Sequence, residues 1–275
     1  MTIAKKVKDS IDLTIEVEQE DGRRAHLGAS VVGRMCEREV WYGWRWTLSK
    51  AHEARILRLF ERGHKEEFRF EKWLDDISDE FWALDPATGS QIRISDYHGY
   101  FGGSLDGVVR NPAGVKGNFL CEFKTHNEKS YEKLIVSGVQ SSKPEHYTQM
   151  QIYLKYKPKL TGALYFAINK NTDALYVEFV ERDEQWIKDS TEKVERILLS
   201  KEPCDRHNAA SEHHYYCKYF CDFPDVCFGN KEPDMSCRTC AFVETRDQGW
   251  TCGKDETLLT VDNQKAGCSD YERLF

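Results

Sequence analysis

Glu122 and Lys124 stand two apart in a segment where Phe119, Cys121 and Phe123 alternate with Leu120, Glu122 and Lys124. In a strand that alternation turns the two sets to opposite faces, so Glu122 and Lys124 project side by side, about 6.6 Å apart at the strand rise. Asp106 lies upstream of an Asn111-Pro-Ala-Gly stretch that reads as a hairpin turn, which brings its strand antiparallel alongside. Two carboxylates and a lysine on adjacent strands make a hard-cation site. Oxygen ligands suit Mg²⁺ or Mn²⁺, and the cation acidifies a bound water into a nucleophile for phosphodiester hydrolysis. A lone Glu-x-Lys is more often a solvated pair on an exposed strand face. Here the run Gly102-Gly-Ser-Leu-Asp-Gly107 precedes it, and a strand with little side-chain bulk leaves space for a ligand. Gln149 and Tyr153, four apart in a helical stretch, share a helix face and could hydrogen-bond phosphate or sugar oxygens, although taken alone they read as surface and core.

Thiols supply a second chemistry. Of ten cysteines, Cys36 and Cys121 stand alone and eight fall between Cys204 and Cys268. Cys237-x₂-Cys240, followed by Cys252 and Cys268, offers four thiolates with one tight pair, a set suited to tetrahedral Zn²⁺. A tail with so little apolar content would otherwise struggle to stay folded, so zinc is favoured over free thiols. Cys217-x₃-Cys221-x₅-Cys227 is a further trio in need of a fourth ligand. Cys121, on the face opposite Glu122, reads as a small buried hydrophobe.

The elements that must hold these groups follow from periodicity. Strands are expected over 91–95, 100–110 and 118–124. Before them, Ser30 can cap a helix carrying Val32, Met35, Cys36, Val40 and Trp41, and a longer helix is expected from about 51 to 77 with His64 at the edge of its apolar stripe. After them come a helix over 145–156, strands over 162–169 and 175–181, and a helix from Asp183 to about 200. Helices before and inside a run of strands predict an α/β domain with a central mixed sheet flanked by helices. The expected division is a domain over 1–203 and a cysteine-rich metal-binding region over 204–275.

With His64, Gly103-Ser-Leu-Asp106, Glu122-Phe-Lys124 and Gln149-Met-Gln-Ile-Tyr153 in that order, the sequence resembles the PD-(D/E)XK nucleases of RecB and Cas4 type, whose pattern is His, GxxD, (D/E)xK and QxxxY. The resemblance covers most of residues 30 to 180 and extends to phage-carried exonucleases of this type. It implies a restriction-endonuclease-like core in which Asp106 and Glu122 bind the divalent metal, His64 is a third ligand and the Phe123 carbonyl a fourth. Lys124 would then act on the attacking water and on developing charge, and Gln149 and Tyr153 would position the DNA backbone. Gln151 competes with Gln149 but lacks the four-residue step to Tyr153. In this family an N-terminal cysteine joins three C-terminal ones around a [4Fe–4S] cluster. Cys36 with Cys217, Cys221 and Cys227 would be that set here, although the family's first spacing is x₂ rather than x₃. His213, His214 or Cys204 could instead complete a second zinc site.

The chain has 275 residues, with 46 Asp and Glu against 39 Lys and Arg, a formal charge of −7. That excludes a uniformly basic coat but not a local groove. Residues 34 to 72 hold ten Lys and Arg against seven Glu, and Arg34, Arg38, Arg62 and Lys65 could line a DNA path, or equally a salt-bridged helix face. With 40% apolar and 31% charged residues the chain should be globular, and no run approaches the roughly 18 apolar residues of a membrane span. The polar opening MTIAKKVKDS and the thiol content lead us to expect a cytoplasmic protein of a bacterial host cell, without membrane association. The expected activity is metal-dependent DNA exonuclease action on ends of linear double- or single-stranded DNA, leaving 5′-phosphate and 3′-hydroxyl products, in phage recombination or repair, with a phage recombination protein as the expected protein partner. The rivals are a catalytically silent DNA-binding or adaptor protein on the same fold, and an endonuclease of restriction or junction-resolving type.

Overall fold

A computed structural model describes residues 1–19 and 22–275. In chain order the elements are α1 (Ile3–Val17), β1 (Leu27–Gly28), α2 (Ala29–Val32), α3 (Glu37–Trp44), α4 (Ala54–Ile77), β2 (Glu80–Trp82), β3 (Arg93–Asp96), β4 (Phe101–Ser104), β5 (Gly107–Arg110) and β6 (Asn118–His126). They continue as α5 (Glu128–Ser142), α6 (Pro144–Tyr156), β7 (Gly162–Asn169), β8 (Leu175–Val180), α7 (Glu184–Leu199), α8 (Tyr215–Tyr219), α9 (Pro224–Cys227), β9 (Val243–Arg246), β10 (Gly249–Cys252) and α10 (Val261–Ala266). The chain forms two compact units. One comprises 1–22, 50–93 and 104–183, and the other 23–49, 94–103 and 184–275. They interleave along the sequence, whereas the expected division was a single cut at 203/204.

The first unit is built on a five-stranded mixed sheet, β2-β5-β6-β7-β8, in which β6 and β7 run parallel and the other pairs antiparallel. β6 is central and nearly continuously buried, as a strand covered on both faces must be. On one face Phe119, Cys121 and Phe123 pack with Phe70 and Leu74 of α4, Val109 of β5, and Phe166 and Ile168 of β7. The other face carries Glu122 in register with Tyr165, whose hydroxyl meets His146 of α6 at 2.8 Å, so α6 covers that side. This is the mixed α/β architecture expected from the strand and helix pattern.

The second unit holds a three-stranded sheet, β1-β4-β3, and the β9-β10 hairpin. Its core is aromatic and pinned by the buried Arg238. The guanidinium lies 3.6 Å from the Trp46 ring centre and 4.6 Å from that of Trp250, and donates to the carbonyls of Trp44 and Ala25. A buried guanidinium is tolerable only with such partners.

Four sequence expectations are corrected. The helix expected from Ser30 is two short helices. α2 has Gly28 as its N-cap and ends at Gly33, a poor helix former, and Cys36 is extended before α3 begins. The long helix starts at Ala54 rather than 51. The strand expected over 100–110 is interrupted at Leu105 and Asp106, because Asp106 offers its carboxylate, not a ladder carbonyl, to β6. Finally, α1, β2 and α5 are additional elements. The N-cap of α5 is explicit in the sequence, since Asn127 accepts from the Ser130 amide at 2.9 Å, but Gly138 at φ 66° interrupts its pattern.

Candidate active site and metal-binding clusters

The hairpin joining β5 to β6 pairs Gly107 with Cys121, which places Asp106 just beyond the paired ladder and beside Phe123. The Phe123 amide donates to Asp106 Oδ2 at 2.8 Å, which fixes the carboxylate against the strand. Lys124 donates to Glu122 and, at 3.1 Å, to the Phe123 carbonyl, and its Nζ lies 3.8 Å from Asp106 Oδ2. Asp106, Glu122, the Phe123 carbonyl and Lys124 are therefore brought together as the alternation required.

Glu122 is fully buried, and its Oε2 has no hydrogen-bond partner among the described residues. An ionised carboxylate oxygen left without a partner in the interior is costly. Burial pushes the Glu122 carboxyl up to about 8, the nearby Asp106 and Glu67 push the same way, and Lys124 opposes them. Burial would lower the Lys124 ammonium, but Glu122, Asp106 and Glu67 outweigh it and hold the group above its ordinary value. The donor set fits a divalent cation: one oxygen is orphaned, and Asp106, Glu122 and Glu67 outnumber the Lys124 ammonium.

Glu67 is the site residue that sequence reasoning missed. It lies on α4 three residues after His64, so the two share a helix face. Burial raises its carboxyl, followed by repulsion from Asp106, while His64 and Lys124 pull it down. The signal available was the His-x₂-Glu spacing. With all three ionised, as cation binding would require, Asp106, Glu122 and Glu67 exceed Lys124 by two negative charges, the charge of one divalent cation. His64 itself is exposed and close enough to Glu67 for their charges to interact.

Gln149 and Tyr153 meet each other, with Gln149 Nε2 donating to the tyrosine hydroxyl at 3.3 Å. That hydroxyl donates at 2.7 Å to the carbonyl of Ser104, and both side chains are buried. The pair thus anchors the segment leading into Asp106. Gln151 is structural, since it donates to the Glu181 carbonyl and accepts from the Asp183 amide. The expectation that the glycines leave room for a ligand is corrected at Gly107 and Gly102. A Cβ on Gly107 would lie 2.4 Å from the Phe81 ring and one on Gly102 would lie 3.0 Å from the Ile94 carbonyl, so the protein itself fills that space.

The basic residues are engaged locally. Arg34 pairs with Glu39 at 2.5 Å, Arg38 donates to the Cys204 carbonyl, Arg62 to the Lys170 carbonyl, and Lys65 pairs with Glu61 on the preceding turn. Arg62 and Lys65 belong to the first unit and Arg34 and Arg38 to the second.

Both cysteine sets gather in the second unit. Cys36, Cys217, Cys221 and Cys227 line one cavity with Arg38 and Arg206. Burial raises the Cys221 thiol to about 12, and Glu39, Cys36 and Cys217 add to it. In the tail, burial raises Cys237 to about 11, and Cys268, Cys240 and Cys252 all push in the same direction. Each set offers soft thiolate donors, the ligand chemistry that Zn²⁺ or an iron–sulfur cluster takes. His213 is exposed, and Cys204 sits beside Arg38 through its carbonyl. Cys121 is wholly buried in the sheet core, where burial keeps its thiol protonated.

No helix is long and apolar enough to cross a membrane among the described residues. No protein-family model matches this chain, and no curated protein matches it. Among solved structures, SSO0001 covers 83% of this chain and 97% of its own length, at 16% identity and a TM-score of 0.42. LHK-Exo, an alkaline exonuclease from Laribacter hongkongensis, covers 69% of this chain and 90% of its own, at 19% identity and a TM-score of 0.42. Its complex with dAMP covers 64% of this chain and 87% of its own, at 18% identity and a TM-score of 0.41.

Proposed function

We propose that this protein is a Mg²⁺- or Mn²⁺-dependent deoxyribonuclease acting as an exonuclease on DNA ends. The observation that carries the reading is the buried Glu122, with one oxygen unpartnered, set beside Asp106 and Lys124. Asp106, Glu122, the Phe123 carbonyl and His64 would hold the cation, with Glu67 adding a carboxylate. When bound, the cation supplies a more acidic water and charge neutralisation at the phosphate. Lys124 stays charged because three carboxylates surround it, and it can orient that water and stabilise the developing negative charge on the phosphoryl oxygens. Tyr153 and Gln149 keep Asp106 in place through Ser104. The preference for ends, the phage recombination setting and a phage recombination partner rest on the sequence resemblance. Arg34, Arg38, Arg62 and Lys65 are proposed DNA contacts, formed by exchanging their present partners for phosphates.

Cys237, Cys240, Cys252 and Cys268 are proposed to hold Zn²⁺ as a structural tie for the tail. The cavity of Cys36, Cys217, Cys221 and Cys227 is proposed to hold a second metal. The resemblance offers a [4Fe–4S] cluster there, and the donors also suit Zn²⁺.

The test compares end-labelled linear DNA with a covalently closed circle, using the wild-type chain, Glu122→Gln and Asp106→Asn in Mg²⁺. Release of nucleotides from linear DNA only, abolished in both folded variants, is expected. Near-normal turnover in either variant would overturn the site, and cutting of the circle would turn the reading to an endonuclease.

A further inference from the structure

His207, His214 and Cys217 come together in a combination that the four-thiol cavity does not use. His207 Nε2 lies 3.4 Å from Cys217 Sγ, and the two imidazole centroids are 4.7 Å apart. One ligand atom from each of the three residues lies within 4.8 Å of the other two. Tetrahedral zinc, with Zn–N near 2.0–2.1 Å and Zn–S near 2.3 Å, sets an N···S edge of about 3.6 Å. The observed separation is close to that edge.

Local structure explains the approach. The Ala210 amide donates to the His207 carbonyl and the His214 amide to the Ser211 carbonyl, so the chain folds back on itself between the two histidines. His214 is the N-cap of α8 and Cys217 lies three residues on, which puts both on one side of the turn. A second observation is independent of the spacing: His214 Nδ1 is buried with no hydrogen-bond partner among the described residues. A buried imidazole nitrogen without a partner is costly, and a metal, or a second-shell acceptor fixed by metal binding, relieves it.

We propose that His207, His214 and Cys217 form a mononuclear site for Zn²⁺ or a similar borderline transition metal, with a water or a cavity thiol other than Cys36 at the fourth corner. Two imidazoles and a thiolate suit that class better than iron–sulfur chemistry or hard cations. Cys36 is then not required for this metal. The proposal sharpens the second-metal part of the function proposed above and is independent of whether the chain cleaves DNA.

The probe is Co²⁺ replacing the native metal in the full-length chain, read by proton NMR and by visible absorption. Two exchangeable imidazole N–H signals shifted far downfield are expected in the wild-type protein, since each bound imidazole carries one. Metal content should fall by one per chain in His207→Ala and in His214→Ala, and stay at the wild-type value in Cys36→Ser. Absence of the shifted signals in the wild-type chain would overturn the site without reliance on any variant. So would unchanged metal content in both histidine variants together with a loss in Cys36→Ser, the pattern of a four-thiol site. DNA cleavage is not a readout, so this site and the nuclease site fail separately.

Discussion

Glu122 is where burial and charge compete most directly, and the competition sets a pH dependence. In the unfolded chain a glutamate titrates near 4.5, whereas burial holds Glu122 near 8 in the metal-free fold. The folded protein therefore keeps a proton that the unfolded chain releases above about 4.5. The stability this proton contributes is complete below that pH and is lost as pH rises towards about 8. Cation binding must expel the same proton, so Mn²⁺ affinity should rise by up to about tenfold per pH unit to about pH 8 and then level off. Calorimetric titration between about pH 6 and pH 9 reads this slope. Glu122→Gln should flatten it, and a flat profile in the wild-type chain would contradict a buried, protonated Glu122. Lys124 gives a different signature. Its ammonium sits on Glu122 and on the Phe123 carbonyl, two of the proposed ligands, as a competitor for the cation's place. Lys124→Ala should thus retain Mn²⁺ while turnover falls by about 10²- to 10³-fold. Loss of Mn²⁺ binding equal to that in Glu122→Gln would rule out the division of labour.

At the scale of elements, β6 was legible because its alternation of Phe119, Cys121 and Phe123 with Leu120, Glu122 and Lys124 is a direct image of its two faces. The hairpin that carries Asp106 was legible for the same kind of reason, through Asn111 and the following Pro-Ala-Gly, with Asn111 adopting a left-handed conformation. Glu67 was not legible, because helix spacing places it beside His64 but does not say that its charge reaches Asp106. The interruption before β5 was hidden too, since it depends on a side-chain carboxylate replacing a backbone acceptor for Phe123. Gly107 illustrates a similar limit: its lack of a side chain is demanded by Phe81 on β2, an element the sequence pattern did not reveal. Gly107→Ala should force the Phe81 ring or the strand to shift, costing about 1–3 kcal/mol. Because residue 107 adjoins Asp106, DNA cleavage should fall with it. Trimming the ring in a Gly107→Ala, Phe81→Leu double variant should recover part of both. Thermal melting and cleavage of the two variants beside wild type decide it, and a Gly107→Ala protein that matches wild type would show that the ring yields freely.

At the scale of the whole molecule, the cysteine pattern pointed towards metal but not to how the chain divides. The thiol-rich segment does not stand apart after residue 203. It forms a unit with 23–49, 94–103 and 184–203, and Cys36 lines the same cavity as Cys217, Cys221 and Cys227. Spacing reports neighbours along the chain, whereas that cavity joins segments about 180 residues apart. The two thiol sets should therefore differ in what they stabilise. A zinc held by Cys237, Cys240, Cys252 and Cys268 would close a short loop around the β9-β10 hairpin, so Cys240→Ser should release about one Zn²⁺ per chain and lower the melting temperature of the tail alone. Cys217 belongs to both candidate arrangements of the second metal and lies on α8, which is tied to α3 by the Tyr216 hydroxyl donating to Glu39 at 2.7 Å. Cys217→Ser should accordingly remove the second metal and lower the melting of the entire second unit, since a tie that closes a long loop restrains more of the unfolded chain. Metal analysis alongside calorimetric melting of the two variants separates these effects. Equal, local losses in both would mean that the proposed cavity metal, like the proposed tail zinc, holds only its own loop.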